Sequence, residues 1–195
     1  MGWEYSLVDA NWNEMKGGNL EMLAKYAQEK NVGLLVWYNS GGAHNTVTEQ
    51  PRDIMSDPVR RKEEMKKLQA LGIKGIKVDF FQSDKQFIMQ QYLDILKDAA
   101  AHHILVNFHG CTIPRGWSRT WPNLVSMESA RGAETYIFSG EFPAKAPLHN
   151  VHLVFTRNII GSMDYTPVTF SDNRYKRLTT NAHELALGVV FESGI

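Results

Sequence analysis

The sequence predicts an α/β chain folded as a (β/α)8 TIM barrel, incomplete at about six βα units. Two observations carry this. Short apolar runs alternate with longer amphipathic stretches along the 195 residues, the pattern of repeated βα units feeding a parallel sheet. Polar residues also stand at the carboxyl end of almost every run: Asp9, Asn39, Asp79, Asn107 with His109, Glu128 and Asp164. An open doubly wound sheet gathers its site at one switch point, whereas a barrel collects side chains from all strand ends. No glycine-rich dinucleotide loop follows any run, since the Gly-Gly pairs at 17–18 and 41–42 lack the spacing. A complete barrel has eight strands in about 250 residues, so six leave it short.

The elements follow in order. Trp3 to Asp9 reads as a strand. Asn19 caps a helix with Leu20, Leu23, Ala24 and Ala27 on one face. Leu34 to Asn39 is continuous and apolar, a strand buried on both faces. Ser40 to Asp57 is polar and long for a βα loop, a length that usually signals function. Asp57-Pro58 pairs a cap with proline at the first helical position, opening a charged helix that ends at Gly72. Gly75 to Phe81 is the next strand, and Asp84 caps a helix carrying Ile88, Tyr92, Ile95, Leu96 and Ala99. Strands are predicted at His103 to His109, Leu124 to Met127 and, more weakly patterned, Ile159 to Met163. Ala182, Leu185, Ala186, Val189 and Val190 keep helical spacing to the end.

Composition narrows the function classes. The chain is long enough for one well-buried domain. Its 21 basic and 21 acidic residues cancel, which gives no pull toward nucleic acid or an anionic membrane surface. Five Trp, seven Tyr and nine Phe suit sugar rings, although most aromatics in any domain are core. Cys111 is the single cysteine, so no intrachain disulfide or cysteine metal cluster forms. No signal peptide, lipidation motif or transmembrane run is present. The start runs straight into a strand pattern and Phe191 to Ile195 stops at a turn toward another, so the chain is expected to be part of a longer protein.

Three carboxylates are the candidates for chemistry. Asp79 ends the run Lys77-Val78-Asp79, where a carboxylate buried without partners costs several kcal/mol. Either it pairs with Lys77, two residues away on the same face, or it acts as a nucleophile kept ionised by that ammonium; the two roles are compatible. Glu128 and Glu134 frame Arg131 and Gly132 and can turn toward one centre. One suits a hard cation and the other a general acid, or both belong to an ion-pair network with Arg131. The histidines form no zinc pattern, with His109 a candidate substrate contact. No nucleophile elbow is present and Cys111 lacks an oriented base.

Several of these segments resemble a known family. Gly-Trp-Glu-Tyr-Ser-Leu-Val-Asp-Ala-Asn-Trp at 2–12, Gly-Ile-Lys-Gly-Ile-Lys-Val-Asp-Phe-Phe at 72–81 and Val-Asn-Phe-His-Gly at 106–110 are similar to the catalytic barrel of glycoside hydrolase family 97. So are Glu-Ser-Ala-Arg-Gly-Ala-Glu at 128–134 and Phe-Thr-Arg-Asn-Ile-Ile-Gly-Ser-Met-Asp-Tyr-Thr-Pro at 155–167. The resemblance implies that the first strand here is the second of the family barrel and that the final helix precedes the eighth. The first and eighth strands would then be missing as one contiguous wedge, together with flanking β-domains at either end.

The family has inverting α-glucosidases and retaining α-galactosidases. The inverting branch places a general-base carboxylate directly after the histidine of the strand that here reads Asn107-Phe108-His109-Gly110. Gly110 cannot serve, and Asp79 matches the retaining branch. The resemblance therefore implies a retaining exo-α-galactosidase with Asp79 as nucleophile, Glu134 as acid/base and Glu128, with Glu134, as calcium ligands. Asp9, Trp37, Lys77, Asn107, His109 and Arg131 are expected to contact substrate hydroxyls. An N-terminal domain would add a glutamate to the Ca2+ site, and the location would be periplasmic or secreted in a bacterium. An inverting α-glucosidase and a catalytically silent carbohydrate-binding fragment are the alternatives.

Overall fold

A computed structural model describes residues 3–166, 170–191 and 193. Five strands form one sheet in sequence order: β1 (Tyr5–Val8), β2 (Gly33–Asn39), β3 (Gly75–Asp79), β4 (Leu105–Phe108) and β5 (Leu124–Met127). The β1–β2, β2–β3 and β3–β4 pairs are all parallel. Helices α1 (Leu20–Glu29), α2 (Pro58–Ala70) and α3 (Gln86–Ala101) make the crossovers between the first four strands. Three shorter or later helices follow: α4 (Thr135–Phe138), α5 (Phe142–Phe155) and α6 (Asn181–Val190). None of the described helices is long and apolar enough to cross a membrane. The chain divides into two compact units, Met1–Thr112 with Trp117–Val125, and Ile113–Gly116 with Ser126–Ile195.

In the first unit, local chemistry sets the helix starts. Asn19 accepts a hydrogen bond from the Met22 N–H at 2.9 Å, and Asp57 accepts from Val59 and Arg60 ahead of Pro58. Each such cap contributes about 1 kcal/mol. The core lies between sheet and helices. Val36, Tyr38, Ile76, Val78, Val106 and Phe108 from the strands pack with Met65, Leu68, Ile88, Tyr92, Ile95 and Leu96, all fully buried. Phe81 stacks on Tyr92 with ring centroids 3.9 Å apart, and Phe108 meets both edge-on.

The second unit has its own core of Tyr136, Phe142, Ala146, Leu153, Met163, Tyr165 and Leu187. Thr180 caps α6 by accepting from the His183 N–H at 3.1 Å.

Four expectations are corrected. The strand predicted through Phe81 ends at Asp79, because Phe80 takes a left-handed φ of 63°. That reversal of direction lets Phe81 enter the core. The strand predicted from His103 starts at Leu105, since the end of α3 holds the Ile104 N–H on the Ala99 carbonyl and His103 is left-handed at φ 56°. Asp84 does not cap α3; Lys85 occupies the cap position and its N–H goes to Ser83 Oγ. The sixth strand is a 3-10 turn at Asn158–Ile160 followed by one isolated bridge, Met127 to Met163. There the Arg157 guanidinium binds the carbonyls of Met127, Gly161 and Ser162, which a strand ladder would otherwise engage. The turn expected beyond Phe191 lies largely outside the described residues.

Candidate functional site

The ends of β2, β3 and β4 bring one cluster together. Parallel register aligns Trp37, Lys77 and Asn107 as a row across the three strands. Asp79, two residues beyond Lys77, shares its face. All four side chains are buried, and so is His109 just past β4.

Asp79 is densely held. Trp37 Nε1 donates to its Oδ2 at 3.1 Å, and the Phe80 backbone N–H donates to Oδ1 at 2.6 Å. His109 Nδ1 lies 3.3 Å from Oδ2 and Lys77 Nζ 3.9 Å from it. A carboxylate only accepts, so Nδ1 is the protonated nitrogen of His109 in this contact. Burial pushes the Asp79 carboxyl up. The hydrogen bond and charge of His109, the charge of Lys77 and the Trp37 N–H outweigh it and hold the group below the usual carboxylate range. The result is an anion in a shielded position.

Lys77 has a shorter partner than the expected one. Its Nζ donates to Asp9 Oδ2 at 2.9 Å, and Asp9 is more than half exposed. Lys77 thus links Asp9 on β1's end to Asp79 on β3's end. The expected pairing with Asp79 and the anion-stabilising role coexist.

Gly110 is required by this arrangement. Its φ is +49°, and a Cβ there would stand 2.7 Å from Asp79 Oδ1 and 2.9 Å from the Phe80 nitrogen. A side chain after His109 and the Asp79 carboxylate in its present place exclude each other.

Other supports were not visible in the sequence. Trp12 Nε1 donates to the Trp37 carbonyl at 2.6 Å, fixing the strand that carries the Asp79 donor. Asn45, from the long loop after β2, donates to the Phe80 carbonyl at 2.6 Å and to Asn39 Oδ1 at 2.8 Å. Arg52 binds the carbonyls of Gly42, Val47 and Asn45 within the same loop. The loop thus braces the turn at Phe80. Asn and Arg in a long loop were the only hint of this, and they name no partner.

The second unit holds the two glutamates. A carboxylate oxygen of Glu128 lies within 4.8 Å of one of Glu134. Calcium–oxygen distances are about 2.3–2.6 Å, so one such cation can reach both. Glu134 is set by a tight turn whose N–H groups at Ala133 and Glu134 donate to the carbonyls of Tyr165 and Thr166. A Cβ on Gly132 would stand 2.7 Å from the Tyr165 carbonyl, so glycine permits the approach. Arg131 is exposed on this turn; its carbonyl is 2.9 Å from His149 Nε2.

A carboxylate held ionised at a strand end in the first unit, and two carboxylates in the second unit spaced for a shared cation, are groups of the kind that carbohydrate-cleaving α/β enzymes use. The family model of glycoside hydrolase 97 matches residues 1–130. A probable retaining α-galactosidase of Streptomyces bingchenggensis is 37% identical across 100% of this chain and 29% of its own length. A retaining α-galactosidase of Bacteroides thetaiotaomicron is 30% identical over 98% of the chain and 30% of itself. A solved β-arabinopyranosidase is 39% identical with a TM-score of 0.93, over 100% of this chain and 32% of that one. The chain belongs to glycoside hydrolase family 97. It spans about a third of the length of these relatives.

Proposed function

We propose that this chain is the catalytic segment of a retaining exo-α-galactosidase. The observation that carries the reading is Asp79: a buried carboxylate at a strand end, kept ionised, with Gly110 leaving no room for the base of an inverting enzyme. Asp79 attacks the anomeric carbon, whose bond to the leaving oxygen breaks as Glu134 delivers a proton to that oxygen. Water then attacks the same carbon, its proton passes to Glu134, and Asp79 departs as a carboxylate. Trp37, Lys77, Asn107, His109, Asp9 and Arg131 are assigned to the sugar hydroxyls.

Glu128 and Glu134 would hold Ca2+, with their oxygen spacing fitting the ion. The bound ion would supply positive charge that orients the glycoside and tunes the acid. We also place the protein in the periplasm or outside a bacterial cell, which fractionation of the native host tests.

A second reading has its own support, since a β-arabinopyranosidase is 39% identical over the whole chain. L-Arabinopyranose has the ring hydroxyl arrangement of D-galactose without the exocyclic carbon. The ratio of kcat/KM for aryl α-galactoside and aryl β-L-arabinopyranoside, measured on the parent-length protein, decides between them. NMR of the first sugar released tests the mechanism: α-galactose is expected, and β-galactose first would sink retention. Asp79→Ala is expected to lower turnover by about 10³-fold or more. Undiminished activity in that variant, or an Asp79–Glu134 separation far from about 5–5.5 Å in a crystal structure, overturns the assignment.

A further inference from the structure

All four polar groups of the two peptides that follow Asp79 are engaged. Between Asp79 and Phe80, the carbonyl accepts from the Ser40 N–H at 2.8 Å and the N–H donates to Asp79 Oδ1 at 2.6 Å. Between Phe80 and Phe81, the carbonyl accepts from Asn45 Nδ2 at 2.6 Å and from Ser40 Oγ at 3.0 Å. The N–H of that second peptide donates to the Gly110 carbonyl at 3.2 Å. Phe80 joins the two fixed planes at φ 63°, a left-handed conformation that a bulky L-residue rarely adopts.

Such strain persists only where the surroundings over-determine it, and here two buried polar residues do so. Ser40 is 0% exposed and Asn45 2%. Each is itself anchored: the Ser40 carbonyl accepts from Gln91 Nε2 of α3 at 2.7 Å, and Asn45 also donates to Asn39 Oδ1 and accepts from the Val47 N–H. The left-handed turn places the Phe80 ring edge-on to Trp37, centroids 5.9 Å apart, behind the indole that donates to Asp79 Oδ2. Rotation of Phe80 to a negative φ would either swing its carbonyl away from Asn45 and Ser40 or turn its N–H away from the carboxylate. The clamp and the contact to Asp79 therefore stand or fall together.

We propose that Ser40 and Asn45 are positioning residues for Asp79, holding Phe80 left-handed so that its N–H faces the carboxylate and its ring backs Trp37. The kinetic consequence rests on the retaining reading, in which Asp79 is the attacking group. Its two oxygens then have preset donors, Phe80 on Oδ1 and Trp37 on Oδ2, and no reorganisation of them is needed at the moment of attack. Neither Ser40 nor Asn45 touches the carboxylate; each acts through the backbone of Phe80.

The double variant Ser40→Ala with Asn45→Ala, made in the parent-length protein, tests this by structure and by pH profile. Its crystal structure is expected to show Phe80 at a negative φ. kcat/KM for an aryl glycoside is expected to fall about ten- to a hundredfold. The acid limb of kcat/KM, which reports the free enzyme's essential base form, is expected to move up by about half a pH unit, since the Asp79 anion has lost a donor. A purely structural loss would lower kcat/KM equally at every pH and leave the limb in place; that result, or Phe80 still left-handed, overturns the proposal. If the double variant does not fold, Ser40→Ala, which removes a single oxygen, carries the test: a smaller shift of the limb in the same direction supports the role, and an unmoved limb overturns it. If wild type cleaves neither aryl glycoside, the retaining reading fails. The φ of Phe80 in the double variant then decides the clamp alone, a negative value supporting it and a positive one overturning it.

Discussion

Removing the charge of Asp79 while keeping its shape, as in Asp79→Asn, changes how stability responds to acid. An unfolded aspartate titrates near about 3.9, and the folded one lies lower because His109, Lys77 and Trp37 favour the anion over the penalty of burial. A depressed folded value means stability that is fully present above the unfolded value and is lost as pH falls through the folded one. Wild type is therefore expected to lose stability more steeply than Asp79→Asn below about pH 4. Urea midpoints at pH 3, 4, 5 and 7 check this, and parallel curves for the two proteins would contradict it.

At the scale of elements, α2 and α3 are joined by an ion pair in the core. Arg61 Nε meets Asp98 Oδ2 at 2.7 Å with both side chains nearly buried, and Arg61 Nη1 also donates to the Met55 carbonyl. Arg61→Leu leaves the Asp98 charge unpaired in low dielectric and is expected to cost about 3–5 kcal/mol. The double variant Arg61→Leu with Asp98→Leu is expected to recover much of that, as measured by denaturant unfolding. This pair was not legible in the sequence, because 37 residues separate its members. The caps Asn19 and Asp57 were legible because their bonds are local. Helix α5 escaped for a chemical reason: Pro143 and Pro147 fall within it, and proline reads as a helix breaker. The apolar run near Ile159 misled in the opposite direction, since the carbonyls around it are taken by Arg157 rather than by a neighbouring strand.

At the scale of the molecule, β1 is an edge strand of the sheet among the described residues. β1 is the first strand in the order, and Trp3, Tyr5 and Leu7 near it are 73%, 37% and 37% exposed. An exposed apolar edge strand templates further pairing. The isolated chain is expected to self-associate at micromolar concentration, and Leu7→Lys to reduce this, as light scattering would record. The parallel sheet and the clustering of polar residues at its strand ends were readable from periodicity alone. Asp79 and Glu128 were singled out in the sequence because each follows an apolar run, and Glu134 because it lies six residues beyond Glu128 across a glycine-containing turn. Their supports were less so: Trp12 and Asn45 act through backbone carbonyls, which no spacing rule encodes, and Gly110 stood out in the sequence for lacking a carboxylate, not for its close approach to Asp79.

On the proposed retaining mechanism, the hydrogen bond from Trp37 to Asp79 also makes the indole an internal optical gauge of the reaction. While Asp79 is an anion, the indole N–H faces full negative charge; once Asp79 carries a sugar as an ester, that charge is gone. Emission on excitation at the tryptophan band is expected to shift when the covalent intermediate accumulates and to return as it hydrolyses. The change should vanish in Trp37→Phe while the other four indoles remain. The proposed nucleophile could then be followed through turnover without a label.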